Sequence, residues 1–129
     1  MIDIKQEVVD LLQDTYQNGI TLDQAEKEAA FFLSHQLNVS DALKAADLDV
    51  RMRKNSLKAV KAAIYMELCT KGEKKPTESF LEHALNTNPL VSQAQDELDE
   101  AEVNFADLTR QFGVYKEGHI YYRGISKNG

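Results

Sequence analysis

Val91, Ala94, Leu98, Ala101, Phe105, Leu108 and Phe112 recur at spacings of three and four without a break. That period puts all seven on one stripe of an α-helix and asks for a partner helix to cover it. Asn88-Pro89 supplies an N-cap followed by proline at the first helical position, and Gly113 supplies a stop, so the pattern predicts a helix over 89–112. A second long pattern lies upstream. Leu43, Val50, Leu57 and Ile64 repeat every seven residues, with Ala46 and Val60 on the alternate seam positions and Arg53 and Glu67 interrupting them. It predicts a helix over 41–71, opened by Ser40 and closed by Gly72.

Shorter elements flank these two. Asp3 caps an expected helix over 4–18 that carries Ile4, Val8, Leu11, Leu12 and, at the margin of the stripe, Tyr16, with Gly19 to end it. Thr21-Leu22-Asp23-Gln24 is a capping-box pattern, opening a helix with Ala25, Ala29, Phe32 and Leu33 that weakens near Asn38. Thr77 caps a short helix through Phe80, Leu81, Ala84 and Leu85, after the charged loop 72–76. The tail 113–129 changes character. Val114, Tyr115, Ile120, Tyr121 and Tyr122 flank Lys116-Glu117-Gly118, which suits a short hairpin, an irregular packing arm or a helical extension equally.

The expected architecture is all-α, a hairpin of two long helices with short flanking helices. It forms a single helical domain over 1–129, with N-terminal helices in 1–38, a basic helix in 41–71, acidic helices in 78–112 and an aromatic, basic tail in 113–129. About 30 residues of helix span about 45 Å. That exceeds what 129 residues need for a compact domain, so part of the surface is expected to meet another copy of the chain, and the protein to self-assemble.

Composition narrows the class. Apolar residues make up 43 % and charged residues 28 %, ordinary for a chain that buries a core. No apolar run approaches the 18 or so residues of a membrane span. The opening MIDIKQEVVD is acidic and polar and does not read as a secretory leader. A lone cysteine, Cys69, has no intramolecular disulfide partner and points to a reducing, cytoplasmic setting.

The net charge of −6 conceals four blocks. Residues 1–50 hold ten acids and three bases; 51–75 hold eight bases and two acids; 78–107 hold eight acids and no base; 108–129 are basic again. Charge this uneven makes the whole-chain value a poor guide to any one surface.

Motifs for catalysis or cofactor binding are missing. There is no glycine-rich phosphate loop, no nucleophile elbow, no paired cysteine motif and no histidine pair at metal spacing among His35, His83 and His119. Adjacent Glu82 and His83 point to different faces of a helix, so they do not form a di-metal motif. Asp96, Glu97, Asp99, Glu100 and Glu102 read as a solvated helix face. Cys69 stands near a helix C-terminus, where the dipole does not favour a thiolate. The expectation is a protein that is not an enzyme and needs no cofactor or metal.

What remains is the basic stretch. At 100° per residue Arg51, Lys54, Lys58 and Lys61 fall within about 80° of one another, a row that can track a phosphodiester backbone. Lys71, Lys74 and Lys75 extend it, and Tyr115, Tyr121 and Tyr122 with Arg123 offer base stacking. A bland reading stands beside it. Asp47 and Asp49 precede Arg51 and Arg53 by four residues and can pair with them, and the acidic helix can lie against the basic one. On that reading Val91, Leu98, Phe105, Leu108 and Phe112 hold the hairpin or an oligomer together, and the chain is a structural or protein-binding module or an acidic DNA mimic.

Arg53-Lys54-Asn55-Ser56-Leu57-Lys58-Ala59, then Val60, Lys61 and Ile64-Tyr65, within this order of elements, resembles the recombination mediators of T4-type phages. These small helical proteins load a recombinase onto single-stranded DNA. Lys58 matches the family's DNA-contacting lysine; Val60 stands where its arginine belongs, with Lys61 one position on, and one aromatic, Tyr65, follows in place of two. The resemblance implies a phage or prophage accessory protein of DNA recombination or replication in the bacterial cytoplasm. It would bind single-stranded DNA without sequence preference, recruit a recombinase or helicase and form homo-oligomers. Residues 31–50 also look like the helix-turn-helix of phage small terminase subunits, which requires a turn near 38–41.

Overall fold

The computed structural model describes residues 4–72 and 75–128. Among them are four helices and no strand: α1 (Ile4–Asn18), α2 (Leu22–Thr70), α3 (Glu78–Thr87) and α4 (Pro89–Asn128). None of the helices is long and apolar enough to cross a membrane. The chain is all-α, with the long helices α2 and α4 paired as a hairpin.

Local chemistry sets most of the helix ends. Gly19 adopts φ +72°, a left-handed conformation that favours glycine, and its N–H donates to the Thr15 carbonyl at 3.0 Å. At the start of α2 the Thr21 N–H donates to Gln24 Oε1 and the Gln24 N–H donates to Thr21 Oγ1, each at 3.2 Å, a complete capping box. Thr77 Oγ1 accepts from the Phe80 N–H at 3.2 Å, and Asn88 Oδ1 accepts from the Leu90 N–H at 2.8 Å, with Pro89 opening α4. The Asp3 cap lies outside the described residues.

Two boundaries differ from the sequence expectation. The break near Asn38 does not form; α2 runs through it for 49 residues. No glycine or proline interrupts the chain there, and Val39 packs on the aromatic cluster of α1, α2 and α4, so tertiary packing overrides weak local propensity. The turn that a helix-turn-helix requires at 38–41 is therefore not there. Likewise α4 does not stop at Gly113 but continues to Asn128, and of the three expected forms of the tail the helical extension is the one formed. The apolar seam carries on past the glycine through Tyr115, Tyr122 and Ile125, which join that cluster.

Contacts divide the chain into two compact units, Met1–Lys44 with Ala106–Gly129, and Ala45–Phe105. In the first, Phe32 and Tyr122 are fully buried and stacked, with ring centroids 5.6 Å apart and planes 10° apart. Tyr115 stacks on His35 at 5.1 Å, the Tyr122 hydroxyl shares a 2.9 Å hydrogen bond with Thr15 Oγ1, and His119 Nδ1 lies 2.9 Å from the Ala29 carbonyl oxygen. Gly118 is buried against the face of Phe32, where a Cβ would sit 2.7 Å from the ring. In the second unit, Leu57 and Ile64 of α2 pack on Val91, Ala94 and Leu98 of α4, with Val50, Val60, Leu68 and Leu85 around them. Val91 and Leu98 are thus hairpin residues, and Phe105, Leu108 and Phe112 are half-buried further along α4.

Candidate nucleic-acid interface

The second unit carries the basic stretch. Its residues sit on one rigid helical segment because Val50, Leu57, Val60 and Ile64, on the neighbouring face of α2, are packed down on α4 or its surroundings. That packing leaves the flank carrying Arg51, Lys54, Lys58 and Lys61 in solvent, and all four are exposed.

They are not equivalent electrostatically. Arg51 pairs with Asp47 at 3.1 Å, and Arg53 with Asp49 at 3.4 Å, both one helical turn apart as their spacing implies. Arg53 also donates through Nη1 to Glu97 Oε2 on α4 at 3.0 Å. This bridge gives the arginine a partner at one of the two positions where charge interrupts the apolar seam, and a sequence pattern of spacings along one helix gives no signal for it. Among the described residues Lys54, Lys58 and Lys61 have no ion-pair partner. Lys71 pairs with Glu67 at 2.5 Å and holds that carboxyl below the usual carboxylate range. Lys75 is exposed in the segment before α3, and Lys74 lies outside the described residues.

The acidic helix covers little of this surface. Glu97 is the acid of the 96–102 run that reaches an α2 cation among the described residues. Asp99 instead accepts from Gln95 Nε2 at 2.9 Å along its own helix. Asp96 shares with Lys61 the wall of a hollow of about 200 Å³, together with Asn86, Val91, Ser92 and Gln95. The charge balance of the hairpin is thus local: arginines neutralised, three lysines in solvent.

The tyrosines divide as well. Tyr115 and Tyr122 are core residues of the first unit and present no face to a base. Burial raises both phenol pKa values, with Glu7 adding to the effect at Tyr115 and Glu28 at Tyr122, while the Thr15 hydrogen bond opposes it at Tyr122. Tyr121 is 44 % exposed and Arg123 is exposed, so these two of the expected stacking group remain accessible. The first unit also has a hollow of about 440 Å³ walled by Glu7, Asp10, Asp14 and Glu28 with Leu11 and Phe31, a surface that repels phosphate. Among the described residues no three histidine, cysteine, aspartate or glutamate side chains group as a metal site. Cys69 is half-buried and free.

Comparison with protein families, with curated proteins and with solved structures finds no match to this chain.

Proposed function

We propose that this chain is a non-catalytic accessory protein of DNA recombination or replication. It holds single-stranded DNA without sequence preference along Lys54, Lys58 and Lys61 and presents it to a recombinase or helicase. One observation carries the reading: three exposed lysines in one row on a packed helix, without an ion-pair partner among the described residues. Successive lysines in that row are separated along the axis by about 6 and 4.5 Å, so each can meet a different phosphate of one strand. Arg51 and Lys75 support them, the arginine at the cost of sharing Asp47. The similarity of residues 53–61 to the phage recombination mediators agrees with this use of Lys58.

Affinity on this reading is modest. The net charge of −6 opposes approach of a polyanion, and the acidic hollow of the first unit adds no favourable contact. The test is fluorescence anisotropy of a labelled oligo-dT strand at salt concentrations from about 50 to 200 mM. Three to five phosphate contacts give a slope of log K against log salt of about −2 to −4. Absence of binding at low salt would sink the nucleic-acid reading and leave a structural or protein-binding module.

A further inference from the structure

Between residues 45 and 70, α2 has a second apolar face that the hairpin does not use. Ala45, Leu48, Met52, Asn55, Ala59, Ala62 and Met66 follow one another at spacings of three and four, a heptad seam of 22 residues with no charge in it. At 100° per residue the band is about 100° wide, part of that width being the drift of about 20° per heptad that supercoiling removes. It lies on the side of the helix opposite Leu57, Val60 and Ile64. All seven residues are exposed, Leu48 at 59 %, Met52 at 58 % and Met66 at 66 %.

We propose that this face is a homodimer interface, in which α2 of a second copy packs parallel to the first along the seam. Two features select that occupant. Asn55, the one polar residue of the seam, carries both a donor and an acceptor, so two copies of it facing each other across a two-fold axis satisfy one another, whereas a wholly apolar partner helix leaves it unpaired. The flanking charges select the direction. One edge of the seam carries Lys44, Arg51 and Lys58, and the other Asp49, Ser56, Ala63 and Thr70. Parallel chains set the first edge against the second, five residues on: Lys44 meets Asp49, Arg51 meets Ser56 and Lys58 meets Ala63. Antiparallel chains would set the basic edge against itself. Asp49 already holds Arg53 at 3.4 Å and is half-buried, so it is fixed in place to receive the partner's lysine. Alanine at three of the seven positions permits close approach and leaves a dimer of modest strength.

Sedimentation equilibrium of the whole chain, from micromolar to submillimolar, reads the mass directly. The expected result is a monomer–dimer equilibrium that Met52→Glu shifts to monomer across the range, with helicity by circular dichroism unchanged because the side chain is exposed in the hairpin. Direction is read in a Cys69→Ser background carrying Met52→Cys. Diamide, reduced to its hydrazine as it takes up the two thiol hydrogens, is expected to link like chains through residue 52. A monomer at every concentration, a dimer that survives Met52→Glu, or a dimer that does not cross-link at residue 52 would each overturn the proposal. No nucleic acid enters these measurements, so they stand or fall separately from the reading of the lysine row.

Discussion

Gly118→Ala sets two effects against each other at one site. In a helix interior alanine is favoured over glycine by about 1 kcal/mol, so the helix alone gains from the change. The fold opposes it. A Cβ at residue 118 would lie 2.7, 2.8 and 2.9 Å from Cδ1, Cε1 and Cγ of Phe32. That ring cannot swing aside, because it is fully buried between Tyr122, Tyr115 and Phe31, with centroids at 5.6, 6.1 and 5.4 Å. Overpacking of this kind costs about 1–3 kcal/mol.

Gly113 and Gly124, on the same helix with nothing within 4 Å of an added Cβ, supply the reference. Their alanine variants keep the propensity gain and are expected to be stabilised by up to about 1 kcal/mol. Gly118→Ala is expected to fall about 2 kcal/mol below Gly113→Ala, a difference from which propensity cancels, leaving the clash. The assay is the urea midpoint at constant m value; by melting, the gap is roughly 6–10 °C at this chain length. The double variant Phe32→Leu/Gly118→Ala should recover part of the loss relative to Phe32→Leu alone, since the two residues touch. If Gly118→Ala is as stable as Gly113→Ala, then Gly118 is not a packing residue and the seating of α4 on Phe32 is wrong.

Leu98→Asp places a charge among Leu57, Ile64, Val91 and Ala94 and is expected to cost at least about 4 kcal/mol, a large share of a domain's stability; unchanged melting would refute the hairpin core. Tyr122→Phe removes the hydrogen bond to Thr15 and is expected to cost about 1 kcal/mol at neutral pH by urea titration. Because burial raises the Tyr115 and Tyr122 pKa values, the unfolded chain loses those protons first, so stability is full below pH of about 10 and falls as pH rises beyond it. Tyr122→Phe should flatten that fall, and an unchanged alkaline slope would count against the buried phenol. Glu97→Gln removes the cross-helix charge partner of Arg53 and leaves Asp49 as its remaining one, which should tighten oligo-dT binding and steepen the salt slope by up to about 0.7; no change would show that Asp49 alone keeps Arg53 from DNA.

Much of this fold is legible where the chemistry is local. Gly19, Thr21 with Gln24, Thr77 and Asn88-Pro89 act within three or four residues, and each sets a helix end as its residue type implies. The seam from Val91 to Phe112 was readable because one helix face keeps one period. The same period continues to Tyr115 and Tyr122, and Gly113 obscures it: a glycine behind an apolar run reads as a stop, and what carries the helix past it, the packing of Tyr115 and Tyr122 on Phe32 of α2, lies far away in sequence. The continuity of α2 through Asn38 was hidden for a related reason, since Val39 is held by residues distant in sequence.

At the candidate site, the spacings give the cation row and the Asp47–Arg51 and Asp49–Arg53 pairs. Which lysines stay unpaired depends on where α4 sets Glu97, a three-dimensional fact. Burial of Tyr115 and Tyr122 is of the same kind: aromatic residues beside Arg123 suit base stacking or a core equally until a partner helix is placed against them.

The most direct test of the lysine row is charge removal without change of shape. Lys54→Gln, Lys58→Gln and Lys61→Gln together take three cations from an exposed face and leave the apolar packing of Leu57, Val60 and Ile64 in place. Measured by anisotropy with labelled oligo-dT at about 50 mM salt, the triple variant is expected to lose the binding that wild type shows, with its salt slope falling by about 2 toward zero and its melting curve unaltered. Binding undiminished in the folded triple variant would contradict the assignment of this row as the surface that holds DNA.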